Sequence, residues 1–269
     1  TVGPALNTVP PGTKECVFWG VGGDGTVNEI VRGLLARLTE ARTLPEIAVV
    51  PQGTGRDFAR TFGLPRSARD ALEIASSGVT QVIDAGRVSY QTWQGEQESS
   101  FFANVASAGM SGAIAARANT TTKALGGKTS FLIATLSVFS HWKPTEMRVL
   151  VDGIERAGAM HDVLVANCRY LGGGMKMTPD ADPTDGLFDV LTIGSITKLD
   201  LTMTLPKIYR GTHLPHPKAE LLQGASVTID TPNAVPIQLD GEQPGTTPVT
   251  FEVIPQTLRL RVPRPDSFA

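Results

Sequence analysis

The sequence predicts an α/β unit followed by a β-rich unit. From Glu15 to about Asp84, short apolar runs alternate with segments whose apolar residues recur at helical spacing. This alternation is typical of a parallel sheet covered by helices. From about Ala85 onward, strand-like runs are separated by Gly and Pro turns, which favours an antiparallel sandwich or barrel. We therefore expect one domain over residues 1–84 and a second that begins near residue 85 and ends near residue 255.

Composition limits the classes of function. The chain has 269 residues and a formal net charge of −2, so it lacks the basic footprint of a nucleic-acid-binding protein, and no nucleic-acid partner is expected. Its two cysteines, Cys16 and Cys168, are too few for a disulfide framework, which favours a reducing cytoplasm. The longest apolar run, Phe131–Phe139, is too short to span a bilayer. We expect a cytoplasmic protein.

The first glycine turn is GVGGDGTVNEI, which occupies Gly20–Ile30 and joins the first strand to the first helix. Strand, glycine turn and helix is the arrangement in which main-chain N–H groups and a helix N-terminus converge on an anion. The segment also satisfies G-x-G-x-x-G, the dinucleotide pattern. However, the Asp24 carboxylate would repel a pyrophosphate unless a divalent cation lay between them, and no acidic residue ends the second strand. A nucleoside triphosphate with Mg²⁺ fits these residues better.

The second glycine turn follows the second strand directly and lies within Pro51–Pro65, where Gly53, Thr54 and Gly55 precede another helix. Two such turns after neighbouring parallel strands are expected side by side at the carboxyl edge of the sheet. Ligands bind at this edge in open α/β folds.

Two acidic turns and a glycine run follow in the β-rich part. TPDADPTDGLFDV carries Asp180, Asp182 and Asp185, and it is either a loop for an oxygen-liganded cation or an ordinary solvated turn. LDGE at Leu239–Glu242 could present a general base or be a common D-G turn. The run Gly172–Gly174 suggests close approach of a ligand or of another backbone.

Lys123 and Lys128 lie in TKALGGKT, a near match to the P-loop pattern that lacks its first glycine and a leading strand. We interpret both lysines as surface charges that could face an anionic membrane.

Taken together, these motifs resemble the diacylglycerol kinase catalytic-domain family, which includes bacterial lipid kinases and sphingosine kinases. GGDGTVNE is similar to the nucleotide signature of that family, and GTGRDFARTFGLP to its second turn. NVASAGMSG, the GGGM run, PDADPTDGLFDV and LDGE follow in the order of the family.

The resemblance implies an N-terminal α/β domain like those of NAD kinase and phosphofructokinase, and a C-terminal β-sandwich. It also implies that the chain end, about residues 256–269, returns to the first domain. The expected activity is ATP-dependent transfer of a phosphoryl group to a lipid hydroxyl, with ATP and Mg²⁺ as cofactors. The expected partner is a lipid at the membrane surface, reached by peripheral association, and a homodimer is left open.

Site residues are carried over from the family motifs. Glu242 is expected to be the general base, with Asp240 as its partner or rival. A structural Mg²⁺ is expected on the Asp185 side chain and the main-chain oxygens of Asp182 and Leu187. The residues expected to contact ATP are Gly22, Gly23, Asp24, Gly25, Thr26, Val27, Asn28, Gly53 and Thr54.

The chain departs from the family pattern at two places. Nothing in Thr1–Lys14 matches the opening N-P-x-S-G turn of the family, and Arg56 replaces the usual Asn of the second turn. Two alternatives therefore stay open, namely a small-molecule kinase that acts on NAD and a nucleotide-binding module without catalysis.

Overall fold

The computed structural model describes residues 17–37, 45–120 and 127–264 of the chain. Thr1–Lys14 and Lys123 therefore lie outside the described residues. Within these ranges, the helices are α1 (Asp24–Leu35), α2 (Asp57–Thr61), α3 (Ala68–Ser77), α4 (Met110–Thr120), α5 (Gly127–His141) and α6 (Lys198–Arg210). The strands are β1 (Val17–Gly22), β2 (Glu46–Pro51), β3 (Val79–Gln91), β4 (Gln97–Phe102), β5 (Val105–Gly109), β6 (Thr145–Val151), β7 (Ile154–Ala166), β8 (Tyr170–Leu171), β9 (Met175–Lys176), β10 (Phe188–Gly194), β11 (Ala219–Gly224), β12 (Ser226–Asp230), β13 (Ile237–Leu239) and β14 (Thr246–Val262).

The N-terminal unit is built on a small, mostly parallel sheet. Strands β1 and β2 are parallel, and their register places Gly22 opposite Pro51. Strand β2 is buried along nearly its whole length, as expected of a strand covered on both faces. Helix α1 packs one face on the sheet, with Val31 and Leu34 almost fully buried. The predicted order of strand, glycine turn and helix is therefore present twice in this unit.

Strands β3 and β14 connect the two units. The end of β14 lies parallel to β2, with Arg259 opposite Glu46. Along the same stretch β14 runs antiparallel to the start of β3, and after an irregularity between Ile254 and Leu258 the two strands continue pairing in the second unit. The chain end thus returns to the first sheet at residues 258–262, while residues 265–269 lie outside the described ranges. Because β3 is antiparallel to β14, the third strand does not extend the parallel sheet.

The second unit is an antiparallel array that encloses its own core. Strands β14, β12, β6, β7, β10 and β11 are neighbours in that order, and β5 joins β7 to β13. Three aromatic rings lie at the centre of the core, where Phe102 stacks on Phe188 at 5.4 Å and meets the edge of Phe251 at 6.0 Å between ring centroids. Gly86 is required here, since a Cβ at this position would lie 2.0 Å from the Phe102 ring.

The apolar stretch at residues 99–105 does not form one continuous strand, because β4 ends at Phe102 and β5 begins at Val105. The chain bends between them, where Ala103 and Asn104 donate their N–H groups to the side chain of Asp240.

Helix α6 continues through Pro206 and stops where Gly211 adopts a left-handed conformation, with φ of 71°. None of the helices in the described part of the chain combines the length and apolar character needed to cross a membrane.

Candidate functional site

The two glycine turns lie against each other at the carboxyl edge of the parallel sheet. The N–H of Gln52 donates to the carbonyl oxygen of Gly22 at 2.8 Å. A Cβ on Gly53 would lie only 2.4 Å from the Cα of Gly23. Because this neighbour is backbone, it cannot rotate away as a side chain could. Glycine at 53 therefore permits the close approach of the turns that the sequence predicted.

Asp24 joins the first turn to the second. It is the first residue of α1, and its Oδ1 accepts the N–H of Phe58, in helix α2, at 3.1 Å. A Cβ on Gly55 would lie 2.5 Å from its Oδ2. The carboxylate thus lies in the space between the two turns and is oriented by the second one.

The start of α1 leaves main-chain donors available. Thr26 and Val27 donate their N–H groups to the carbonyl oxygen of Gly23, at 3.0 and 3.2 Å. The N–H groups of Asp24 and Gly25 have no acceptor among the described residues. A Cβ on Gly25 would meet no atom within 4 Å. Open space in front of free N–H groups at a helix N-terminus is the arrangement that binds an anion.

Val27 and Asn28, two of the residues expected to contact ATP, point into the protein. The Val27 side chain belongs to the hydrophobic core of the first unit. Asn28 is buried, and its Oδ1 has no hydrogen-bond partner among the described residues. Any contact of Val27 with a nucleotide would therefore involve its main chain. Thr54, in contrast, is exposed on the second turn.

Arg56 turns its side chain back toward the end of its own loop. Its backbone is left-handed, with φ of 59°. Its guanidinium donates to the carbonyl oxygens of Leu64 and Pro65, at 3.0 and 2.6 Å. Arg56 thus closes the GTGRDFARTFGLP loop on itself.

Asp57, which the sequence analysis does not single out, lies beside the candidate site, close enough for the charge of Asp24 to act on it. It is buried, and its Oδ2 accepts the N–H of Gly173 at 2.7 Å. Burial, together with the negative charge of Asp24, raises the pKa of Asp57 to about 6 against the lowering effect of the hydrogen bond from Gly173. The three glycines of the run have positive φ values of 66°, 84° and 112°, and a Cβ on Gly174 would make only an ordinary contact with the Arg60 guanidinium, at 3.4 Å. The described neighbours of the run are therefore side chains of the second turn, and its backbone conformation accounts for the glycines.

Asp240 anchors the LDGE turn to the β-rich unit. Its Oδ1 accepts the N–H groups of Asn104 and Val105, both at 3.0 Å, and its Oδ2 accepts that of Ala103 at 2.9 Å. Its own φ is 49°. Burial of the carboxyl group raises the pKa of Asp240 to about 6; the three N–H donors lower it, and the charge of Asp24 raises it. The charge of Asp24 therefore reaches Asp240, although the two residues belong to different units of the fold.

Glu242 lies at the exposed end of the same turn. Its main chain exchanges hydrogen bonds with Leu239 at 2.9 and 2.8 Å. Its carboxylate has no hydrogen-bond or ion-pair partner within the described ranges. The Asn119 amide, at the end of α4, donates to the carbonyl oxygen of Gly241 at 3.1 Å and steadies the turn. Of the two acids, only Glu242 has its carboxylate free for a substrate.

The PDADPTDGL loop is held by acid-to-amide contacts. Asp182 Oδ1 accepts from Thr184, and Asp185 Oδ1 accepts the N–H of Leu187 at 2.9 Å. From outside the loop, Asp84 accepts the N–H of Gly186 at 2.8 Å. No group of three or more His, Cys, Asp or Glu side chains that could hold a metal was found in the described part of the chain. The predicted Mg²⁺ set differs from such a group, because it uses one carboxylate and two main-chain oxygens.

Burial raises the pKa of Asp189, which follows that loop, to about 6. A hydrogen bond from Gln223 lowers it, and the charges of Asp185, Asp180 and Asp182 raise it. The loop is thus a concentration of negative charge.

An apolar cavity lies under helix α6. Its wall includes Met110 and Ile114 of α4, Met175 of β9, and Leu201, Leu205 and Ile208 of α6. The wall also includes Leu171, so the two residues that flank the run Gly172–Gly174, Leu171 and Met175, both line the cavity. The cavity therefore borders the glycine run, whose Gly173 donates its N–H to Asp57 of the second glycine turn. No signal in the sequence identified it.

Comparison with known proteins identifies the family. Residues 6–88 match the diacylglycerol kinase catalytic domain, and residues 104–262 match the YegS C-terminal NAD kinase beta sandwich-like domain. A diacylglycerol kinase of Mycobacterium tuberculosis is 31% identical over 247 residues, which are 90% of this chain and 75% of that protein. The chain belongs to the diacylglycerol kinase family. The resemblance seen in the sequence motifs is thereby confirmed.

Other relatives agree with this assignment. A probable lipid kinase YegS-like protein of Shewanella frigidimarina is 29% identical over 245 residues, which are 90% of this chain and 75% of that protein. The crystal structure of a diacylglycerol kinase from Bacillus anthracis has a TM-score of 0.66 at 20% identity, and the match covers 93% of this chain and 76% of that one. Yeast NADH kinase complexed with NADH has a TM-score of 0.52 at 12% identity, with coverage of 93% and 63%.

At these identities, the structural matches concern the fold alone. They confirm the predicted fold class, an NAD kinase-like α/β unit with a β-sandwich-like second unit.

Proposed function

We propose that this member of the diacylglycerol kinase family transfers the γ-phosphoryl group of ATP to the hydroxyl of a diacylglycerol-like lipid. The observation that carries the proposal is the close approach of the two glycine turns around the Asp24 carboxylate, in front of open space and free N–H groups at the start of α1. The LDGE turn is distant in sequence, yet the charge of Asp24 acts on its Asp240.

The nucleotide would bind where the two glycine turns meet. The N–H groups of Asp24 and Gly25 would donate to phosphate oxygens, and the missing side chain of Gly25 leaves room for them. The rest of the nucleotide site would be formed by Gly22, Gly23, Gly53 and Thr54. Its shape would be supported by Thr26 and Asn28. Positioning of the phosphoryl group supplies most of the catalysis in such transfers.

The charge around Asp24 fits a divalent cation. The charge of Asp24 raises the pKa values of both Asp57 and Asp240, so negative groups face one another there with incomplete compensation. Oxygen ligands of this kind suit Mg²⁺. When bound, Mg²⁺ would neutralise charge on the phosphate oxygens. Asp24 would orient it, because the carboxylate is itself fixed by the N–H of Phe58.

In the proposed reaction, Glu242 accepts the proton of the lipid hydroxyl. The lipid oxygen forms a bond to the γ-phosphorus, the bond from that phosphorus to the β–γ bridging oxygen breaks, and ADP leaves with the bonding electrons. Asp240 holds the turn through its three N–H contacts and keeps the Glu242 carboxylate at the nucleotide site. Its role is therefore to position the base.

A second Mg²⁺ is proposed at the PDADPTDGL loop. The concentration of carboxylates around Asp189 favours a cation. Asp185 has one carboxylate oxygen, Oδ2, that accepts no hydrogen bond from the described residues, and it would ligate the ion together with the main-chain oxygens of Asp182 and Leu187. This ion would stabilise the loop and would take no part in the transfer.

The acceptor lipid would place its hydrocarbon in the cavity under α6. That cavity is lined mainly by Met, Leu and Ile, which suits an acyl chain and offers little to a dinucleotide. This observation favours a lipid over NAD as the phosphoryl acceptor. The enzyme would reach its substrate as a cytoplasmic protein that associates peripherally with the membrane.

Incubation of the chain with γ-labelled ATP and, separately, diacylglycerol, phosphatidylglycerol, sphingosine and NAD tests the proposal. Label is expected in the lipid extract, with mass identification of the phosphorylated product, and Asp24→Ala should abolish it while the circular dichroism spectrum is retained. Label only in NADP would favour the NAD kinase alternative. Absence of label from every acceptor, together with measurable ATP binding, would favour a non-catalytic nucleotide-binding module.

A further inference from the structure

Charge is distributed unevenly along this chain, and the basic stretches coincide with three helices. The whole chain has a formal net charge of −2. Residues 99–145, which include α4 and α5, contain no Asp or Glu, and their cations are Arg117, Lys123, Lys128 and Lys143. Residues 201–219, which include most of α6, again contain no acid, and their cations are Lys207, Arg210 and Lys218. These stretches are basic segments of an otherwise acidic chain.

The acid at the start of α6 is already committed to local contacts. Asp200 accepts the N–H and the hydroxyl of Thr197, both at 2.8 Å, in a capping box. It also lies 3.9 Å from His216. The exposed cations of this helix, Lys198, Lys207 and Arg210, therefore determine its outward charge.

Helices α5 and α6 also expose large apolar side chains. Leu199 and Met203 are 68% and 62% exposed, and Ile133 and Leu136 are 49% and 50% exposed. The helices are neighbours, since Ala134 and Phe139 of α5 belong to one hydrophobic cluster with Leu201 of α6. Exposed apolar side chains grouped with basic ones mark an interaction surface.

Helix α6 lies between this surface and the apolar cavity. Helix α6 contributes Leu201, Leu205 and Ile208 to the cavity wall, while Leu199 and Met203 face outward from the same helix. The inner side of α6 is thus apolar and its outer side combines apolar and basic side chains. A hydrocarbon chain that left a bilayer at the outer side would be separated from the cavity by a single helix.

We propose that the outer face of α5 and α6 is the membrane-docking surface of this protein, and that its partner is a bilayer rich in anionic phospholipid. The reason for docking, access to a lipid substrate, rests on the proposed lipid-kinase function. The position of the surface is inferred from the charge and exposure of its side chains. Leu199, Met203, Ile133 and Leu136 enter the interfacial layer, while Lys207 and Arg210 contact lipid phosphates. The cavity then opens toward the leaflet that holds the substrate.

Vesicle co-sedimentation of the full chain, without ATP, tests this inference. The wild-type chain is expected to bind phosphatidylcholine vesicles that contain about 30 mol % phosphatidylglycerol, and to bind pure phosphatidylcholine vesicles weakly. The double substitution Leu199→Glu and Met203→Glu should weaken binding by roughly tenfold or more. Replacement of Lys207 and Arg210 by Gln should weaken binding to the anionic vesicles by roughly fivefold for each cation removed.

Leu72→Glu is the matched control, because Leu72 is a leucine on helix α3 that is 43% exposed and distant in sequence from the proposed surface. It should leave vesicle binding unchanged. Phosphorylation of dioctanoylglycerol in detergent micelles, where no bilayer has to be found, should keep its wild-type kcat in the double variant. This measurement also shows that the double variant is folded.

Equal vesicle binding by the wild type and the double variant would overturn the inference. So would a dimer that the double variant dissociates, observed together with no vesicle binding by the wild type, because the face would then be an interface between copies of the chain. Vesicle binding that depends on this face, without phosphorylation of any lipid, would uphold the docking surface and contradict the proposed function.

Discussion

Asp24 and Asp240 are separated by 215 residues in the sequence, yet the negative charge of Asp24 adds to the effect of burial in raising the pKa of Asp240. This relationship indicates that the fold brings the first glycine turn and the LDGE turn near each other. The Asp240 carboxylate is held by three main-chain N–H groups, whereas Asp24 is held by one. Both carboxylate oxygens of Asp240 are therefore fixed by the protein. Asp24, on the glycine turn, keeps its Oδ2 for a cation.

Separate roles for Glu242 and Asp240 can be distinguished by isosteric substitution. Glu242→Gln should lower kcat by roughly 10²–10⁴-fold because the general base is lost. It should leave the free energy of unfolding nearly unchanged, since Glu242 is exposed. Asp240→Asn should lower both activity and stability. The Asn side chain has only one oxygen, so at least one of the three main-chain N–H groups would lose its acceptor. Steady-state kinetics and urea unfolding of both variants check this prediction, and a catalytic loss in Asp240→Asn without a loss of stability would contradict it.

Alanine at two glycines should separate a ligand space from a packing space. Gly53→Ala should lower stability by about 1–3 kcal/mol, because its Cβ would lie 2.4 Å from the Cα of Gly23. Gly25→Ala should leave stability unchanged or raise it by about 0.5 kcal/mol, since its Cβ meets no protein atom. Gly25→Ala should nevertheless weaken ATP binding, because the methyl group occupies the space assigned to phosphate. Calorimetric titration measures the ATP affinity of both proteins. A wild-type affinity in Gly25→Ala would contradict the assignment of the space at Gly25 to phosphate.

The part of this arrangement that the sequence predicted depends on local rules. Parallel strands end at the same edge of a sheet, so turns after neighbouring strands had to meet, as Gly23 and Gly53 do. The helix starts followed from apolar spacing, as in α1. The family resemblance places Val27 among the ATP contacts because it carries over the whole GGDGTVNE motif, whereas helical periodicity directs the Val27 side chain into the core.

Other features depend on contacts between distant parts of the chain. The anchor of Asp240 consists of amides at residues 103–105, more than 130 positions away. The link from Asp57 to Gly173 spans 116 positions. The cavity under α6 collects side chains from several elements. A single sequence gives no measure of such proximity. For this reason the sequence alone does not identify Asp57, the buried acid that follows the second glycine turn.

Mg²⁺ should stabilise the folded chain through the PDADPTDGL loop. A cation that binds only the folded state raises the free energy of unfolding by RT ln(1 + [L]/Kd). Millimolar Mg²⁺ without nucleotide should therefore raise the Tm of the wild type, and Asp185→Asn should reduce this rise. Asp230→Asn, at an exposed acid that lies 3.7 Å from Arg148, is the control and should keep it. An equal rise in all three proteins would argue against a cation at Asp185.

Asp162 should make stability depend on pH. This residue lines the cavity, and Ser111 donates its N–H to Asp162 Oδ2 at 3.1 Å and its hydroxyl to the same oxygen. Burial raises the pKa of Asp162 to about 7, against the lowering effect of these donors. Between the unfolded pKa near 4 and pH 7, the folded state therefore binds more protons than the unfolded state. As the pH rises through this window, the free energy of unfolding should therefore fall by roughly 1 kcal/mol for each pH unit.

Asp162→Asn removes this titration while Asn can still accept the Ser111 N–H. The variant should be more stable than the wild type at pH 8 and should lose less stability between pH 5 and pH 8. The remaining slope would come from Asp57, Asp189 and Asp240, whose pKa values are also raised. Urea unfolding of both proteins at several pH values measures the difference. Parallel stability curves for the two proteins would mean that Asp162 titrates alike in the folded and unfolded states.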